Sequence, residues 1–487
     1  AKVTSLTILA LNFEHCSQIL DISALGFMAK LTYLSRLRLD FRDCDSLCDI
    51  SALLCLEQLT CLVNVMLNFA YCMMIEDISA LCCLQMLTSL TQVSLDFQYC
   101  EQLPNIDALA CLSELTSINA LTLNFAGCLM ITDLNALGCL EKLTFITSLT
   151  LIFERCMRIS DIKALACLDK LVLMTSLRLD LRDCKLLSDI SSLSRLNKLQ
   201  FLCSITIELE CCQLLTDINA LSYFEKLTEV RDLTLNLTRC GISDISPLAS
   251  LRKLTSLNTL TLMFMHCQQL SDIGALGYLE RLASLTYLRL DFKGCAHLSD
   301  ISTLVRLKKL PNLAVLIVNF EDCVEISDIS ALACLGKLRN SLTELSLNFT
   351  GCVKITSVDT LSCIGELVSL LSLTLRFERC TQISDVKALG CLTPQKQGPR
   401  RMSYLSDLTL DFRDCEQITG VSALLFGLEK LNSLSSIEVA YRGSGTSNTR
   451  IGDLSDLANV CSEARESGTG QSPRGFHPHR HLPSLAE

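Results

Sequence analysis

Leu121-Thr-Leu-Asn-Phe-Ala-Gly-Cys128-Leu-Met-Ile-Thr-Asp133-Leu-Asn-Ala-Leu137-Gly-Cys-Leu140-Glu-Lys-Leu143-Thr-Phe-Ile-Thr-Ser148 is a unit of 28 residues, and the chain up to about residue 442 is a succession of its copies. A fixed period of this size outweighs any element-by-element reading, because one supersecondary unit repeats and its copies share a core. The cysteine that closes the strand phrase keeps the count: Cys16, Cys44, Cys72, Cys100 and Cys128 lead on to Cys415. The spacing departs from 28 at three steps: 27 after Cys240, 29 after Cys323 and 35 after Cys380.

Each unit has two halves. In Leu121-Thr-Leu-Asn-Phe125, apolar and other residues alternate, which predicts a short strand with one buried face. Leu121, Leu123 and Phe125 point inward; Thr122, Asn124 and Ala126 point outward. After Cys128 and a turn, Leu134 to Leu143 has apolar residues near a 3.6 period and predicts a short helix. Asp133 is placed to cap it, accepting from the free N–H groups of the first turn. The same slot holds Asp in twelve of fifteen units, with Asn105, Ser357 and Gly420 in the others. A slot filled only by capping types is structural, so these aspartates are not catalytic candidates. One such unit cannot bury its apolar side alone; stacked copies can.

Composition follows from the repeat. The 487 residues would otherwise suggest two or three domains. The hydrophobic fraction of 49% comes from leucine-dense units, and no apolar run approaches the length of a membrane span. A net charge of −10 argues against nucleic acid or an anionic membrane as the main partner. Of 29 cysteines, fifteen occupy the strand-end slot and eight more, among them Cys55, Cys83, Cys111 and Cys139, lie eleven residues later. Rows repeating with the structural period are expected to be small buried hydrophobes with a weak S–H donor, kept in a reducing compartment, rather than metal ligands. No metal or cofactor is expected, and the setting is expected to be cytoplasmic.

Residues 1–442 are read as the repeat array, 443–462 as a degenerate C-terminal capping half-repeat, and 463–487 as a disordered Ser/Gly/Pro/Arg/His tail. His477, His479 and His481 lie in that tail. The chain starts at Ala1 inside a repeat without a polar cap, so an N-terminal part is expected to be missing. Residues 393–401 form a basic insertion, either a docking loop or a tolerated one.

The phrase Leu123-Asn-Phe-Ala-Gly-Cys-Leu-Met-Ile-Thr-Asp133, recurring fifteen times over about 430 residues, resembles the cysteine-containing class of leucine-rich repeats. The resemblance implies an α/β fold: a right-handed solenoid (horseshoe) with a parallel sheet on the concave face and short helices on the convex face. It also implies a role in protein recognition, since members often serve as substrate-recognition arms of ubiquitin ligases.

Binding is therefore expected on the outward strand positions. Met66, Tyr71 and Tyr99, on adjacent units, are one candidate contact patch; Met263, Met265 and His266, on one unit, are the other. Asn12, Asp40, Asn68, Asp96 and Asn124 head a polar column that is expected to be plain solvated sheet face. The charged set Arg38, Asp40, Arg42 and Asp43, echoed at Arg178 to Asp183 and Arg289 to Lys293, is expected to pair within itself. Asn236-Leu-Thr238 and Asn348-Phe-Thr350 match the glycosylation pattern but lie on strands. Motifs for nucleotide binding, serine hydrolysis, zinc proteolysis and kinase chemistry are absent. The expected function is a non-catalytic module binding a protein or peptide on the concave face. The alternative is a sensing or substrate-recognition arm of a larger protein whose effector domain lies outside this chain.

Overall fold

A computed structural model describes residues 5–392, 404–418, 421–428, 431, 433–442 and 448–451. The insertion at 393–401, the half-repeat beyond Ile451, the tail at 463–487 and its three histidines lie outside the described residues. The chain divides into two compact units, Ala1–Leu285 and Thr286–Glu487.

The first unit holds ten strands, from Ile8–Asn12 to Thr259–Met263, each five residues long. They form one parallel sheet in sequence order, and every residue pairs with its counterpart one repeat on, as in Ala120↔Ser148 and Asn124↔Ile152. The second unit repeats the pattern in parallel strands from Tyr287–Asp291 to Ser436–Arg442. There Asn448–Ile451 runs back antiparallel along the last of them.

The helices differ from the sequence expectation. Asn135–Lys142 and most of its counterparts are 3-10 helices of eight residues, not α-helices. Their buried residues explain why. Between Phe125 and Leu149 the chain buries every third residue: Cys128, Ile131, Leu134, Leu137, Leu140, Leu143 and Ile146, none more than 2% exposed. A 3-10 helix has three residues per turn, so one edge stays inward throughout; an α-helix would carry it away from the core. Each rung thus takes eight steps of three and two strand steps of two, which makes 28.

The exceptions obey the same rule. Leu338 and Leu342 are four apart, and there the Leu342 N–H donates to the Leu338 carbonyl in an α-type turn, which absorbs the extra residue of the 29-residue rung. Val421, Leu424, Leu425 and Leu428 have α spacing, and Val421–Leu428 is an α-helix.

Asp133 acts close to expectation. Its Oδ1 accepts the Asn135 N–H at 2.9 Å, an Asx turn that starts the helix. The same bond is made by Asn105 to the Asp107 N–H and by the Ser357 hydroxyl to the Asp359 N–H; Gly420 lies outside the described residues. Inside the first unit, the rings of Phe13, Phe41, Phe69, Phe97, Phe125 and Phe153 stack with centroids 5.0–5.8 Å apart. Offset stacking adds about 0.5–1.5 kcal/mol per pair beyond area burial.

The 27-residue rung places Gly241 where a Cβ would lie 2.7 Å from the Gln213 carbonyl oxygen and 3.2 Å from Thr216 Cγ2. Gly138, by contrast, faces open space. Gly241→Ala is expected to cost about 1–3 kcal/mol in urea unfolding, the range for overpacking, while Gly138→Ala stays within about 0.5 kcal/mol of the parent. Equal effects would contradict the tight turn.

Candidate interaction surface on the sheet face

Four residues before each cysteine stands the polar column that was expected to be solvated sheet face. That expectation is corrected. In the Asn68 rung the side-chain Oδ1 accepts the Ala70 N–H at 3.0 Å, and Nδ2 donates to Asp40 Oδ1 at 2.9 Å. Asn124 repeats this with the Ala126 N–H at 3.1 Å and Asp96 at 3.0 Å, and Asn319 bonds Asp291 at 2.9 Å. Asp40, Asp180, Asn236, Asp291 and Asp411 are buried. Desolvation lifts the Asp96 carboxyl above its ordinary value, against the bonds it accepts from Gln98 and Asn124. In eleven of the fifteen rungs the Asn or Asp of this column makes an Asx turn at the end of its strand; Ile152, Glu208, Met263 and Arg376 stand in the other four. Ala126 is likewise buried, so of the outward positions in this unit only Thr122 is left with a free side chain. Asn236 and Asn348, the two glycosylation-type asparagines, also spend their Oδ1 on such a turn.

The chain then enters the left-handed region, with or without an Asx turn before it. The residue before every strand-end cysteine has positive φ, between 56° and 76°, in all fifteen rungs. This aims its N–H at the next rung: Tyr71 donates to the Gln98 carbonyl and Tyr99 to the Ala126 carbonyl, each at 2.6 Å. Glycine takes this conformation freely, whereas other residues are penalised by about 1–2 kcal/mol. Only Gly127, Gly294 and Gly351 are glycines; the other twelve include His15, Tyr71, Tyr99, Arg155, Arg239, His266 and Arg379. Bulky side chains here are maintained against a standing conformational cost.

The cysteines that follow form a second ladder. Cys128 Sγ donates to the Phe97 carbonyl at 3.2 Å and Cys156 Sγ to the Phe125 carbonyl at 3.2 Å, and the row continues through both units. On the helix side, Cys111, Cys139 and Cys167 each donate to a leucine carbonyl of the preceding rung at 3.3 Å. Burial pushes the Cys72, Cys156 and Cys212 thiols up to about 12, which keeps them protonated donors.

The charged sets pair within themselves only in part, since Arg42 turns to Glu14, Asp43 to His15 and Lys293 to Glu321, and their acids are less solvated than expected. Arg182 holds the buried Asp180 with two nitrogens at 2.9 and 2.8 Å and reaches Glu154 at 2.7 Å. Arg38 pairs with Asp40, and Arg289 with Asp291. In the first rungs Glu14, His15 and Asp43 bring one ligand atom each within 4.8 Å of one another. Both acids are engaged there, Asp43 by His15 and Glu14 by Arg42, each at 3.2 Å. In the second unit a depression of about 330 Å³ is lined by Glu321, Arg376, Glu378, Arg413 and Glu438 among others. Its Arg413 already binds Asp411 and Glu378.

The first predicted patch comes together in part. The Tyr71 and Tyr99 rings stack at 4.9 Å, past the strand ends, whereas Met66 lies mid-strand and 41% exposed. Arg155, two rungs from Tyr99, joins them without any signal in the local sequence. Its guanidinium lies 5.6 Å from the Tyr99 ring centroid and its Nη1 donates to the Tyr99 hydroxyl at 3.2 Å. Gly127 makes room: a Cβ there would lie 2.6 Å from the ring. Met263, Met265 and His266 share one rung and are half-buried; His266 takes the left-handed position.

No protein-family model matches the chain, and no curated protein matches it. Solved structures do. A leucine-rich-repeat protein of Leptospira interrogans aligns over 88% of this chain and 94% of its own, at 17% identity and a TM-score of 0.52. An internalin of Listeria monocytogenes aligns over 75% and 86%, at 25% identity and a TM-score of 0.49. The likeness to the Leptospira protein is one of fold: this chain has the leucine-rich-repeat fold, and its 28-residue rungs closed by cysteine fit the cysteine-containing class. Among the described residues no helix is long and apolar enough to cross a membrane.

The thiol ladder sets a pH dependence. Unfolded thiols ionise near their ordinary value of 9.0, whereas the native ones hold their protons to about pH 12. The stability they confer is complete below pH 9 and is lost as pH climbs from about 9 towards 12. The urea midpoint is expected to be level from pH 7 to 8.5 and to fall steeply above 9. A level midpoint up to pH 11 would contradict the ladder.

Proposed function

We propose that the sheet face holds a protein or peptide partner and that the chain is a binding module without chemistry of its own. The leucine-rich-repeat fold supports a protein-interaction module. One observation carries the reading further. From Ser94 onward the mid-strand column of the first unit runs through Thr122, Thr150, Thr206, Thr234 and Thr261, short side chains without a partner among the described residues, broken only by Arg178, which pairs with Asp180. Among the described residues the paired strands, the Asx side chains and the buried strand-end thiols find their partners within the chain, which leaves this column as spare hydrogen-bonding capacity on an open surface. The rows of protonated thiols support a reducing, cytoplasmic setting.

The test is a paired set of variants of the full chain, each first checked for an unchanged urea midpoint. Thr150→Lys and Thr234→Lys place bulky charge on the sheet face; Lys170→Glu and Arg281→Glu alter the helix face. Partners recovered by affinity capture are expected to drop at least about tenfold with the sheet-face pair and to persist with the helix-face pair. Loss confined to the helix-face pair would contradict the reading.

A further inference from the structure

We infer that the Tyr71, Tyr99 and Arg155 edge of the first unit is an anion-reading site that takes the carboxylate side chains of an acidic peptide segment.

Two rungs of this row are built for a side chain to reach across an intervening glycine. In the second unit Arg379 crosses Gly351 to Asp322 and bonds its carboxylate at 3.0 Å. That cation is neutralised within the chain. In the first unit Arg155 crosses Gly127 in the same way but meets the neutral hydroxyl of Tyr99 at 3.2 Å. Among the described residues no carboxylate pairs with Arg155, and nearby Glu154 is taken by Arg182 at 2.7 Å. Arg155 is exposed and makes no ion pair among the described residues.

The hydrogen-bond geometry fixes the sign of what the edge recognises. Arg155 donates to the Tyr99 oxygen, which leaves the Tyr99 hydroxyl its own proton to donate. No acceptor for it, nor for the Tyr71 hydroxyl, stands among the described residues. Two phenol hydroxyls and the remaining guanidinium N–H groups thus offer hydrogen-bond donors at one edge, and none of them meets a carboxylate among the described residues. Donor clusters with net positive charge bind carboxylates through charge-assisted hydrogen bonds. The stacked rings, 4.9 Å apart and half-buried, hold the two hydroxyls in place. Both tyrosines sit at φ of 59–64°, where glycine would be easier, so the backbone conformation does not call for them.

This assignment presupposes that the sheet face holds a protein partner, and the experiment separates the two. A phage-displayed random dodecapeptide library is panned on the full chain, and soluble peptides from the enriched pool are titrated. Asp and Glu are expected to be enriched, and their replacement by Asn and Gln should weaken binding at least about tenfold. Arg155→Ala should weaken it about tenfold or more and Tyr99→Phe about fivefold, with the stack kept. Tyr71→Gly and Tyr99→Gly should abolish binding while leaving the urea midpoint level or raised, which a purely structural role would not do. Binders without acidic enrichment, or a library that yields none, would overturn the assignment. Peptides indifferent to the edge variants but weakened by Thr150→Lys would overturn this edge and leave the sheet-face reading standing. Peptides indifferent to both sets would overturn both.

Discussion

The fold depends on parallel pairing that admits no slippage. Each strand residue stands opposite its counterpart one repeat away, and two ladders just past the strand end, the Asx side chains and the thiols, require the same register. A shift of one residue would turn Leu121, Leu123 and Phe125 to the surface and disconnect both ladders. Length variation is accordingly confined to the rest of the rung. The one-residue deletion lies in the turn after Cys240, the one-residue insertion at the end of the 3-10 helix near Leu338, and the phrase from strand to cysteine is the same length in every copy.

This constraint sorts the positions of the repeat by what they answer to. The inward residues answer to stacking, the Asp133 column to starting the helix, the Asn124 column to leaving the strand, and the cysteines to a carbonyl one rung back. The left-handed position answers only for its backbone: any residue that tolerates the conformation satisfies the fold. Its contents vary widely, from Tyr71 to Asp183 to Arg239, even though glycine would be the easy choice there. Variation maintained against a conformational cost is where partner information is most economically stored.

Much of this was legible in the sequence, within definite limits. The repeat, the strand faces, the Asp133 turn and the structural cysteines follow from spacing, and spacing was on view. The 3-10 helix was also on view, in the unbroken step of three from Phe125 to Leu149; a 3.6 period fitted the short segment Leu134–Leu143 well enough to hide it. The Asn124 column misled because a polar residue at an outward strand position looks solvated until its partner two residues on is seen. Tyr71 and Tyr99 stood out as aromatics, but their φ and the reach of Arg155 across Gly127 depend on backbone geometry two rungs apart, which no local pattern encodes.

The central claim is that strand register carries the fold while the helix side tolerates changes of length. It is tested by inserting one alanine at two points of one rung, after Leu123 in the strand and after Leu140 in the helix, and measuring the urea midpoint of each full chain. The helix insertion should be absorbed as an α-type step of four, as at Leu338–Leu342, with a small fall in midpoint. The strand insertion should lower the midpoint severely or split the transition in two. Equal losses from the two insertions would contradict the account.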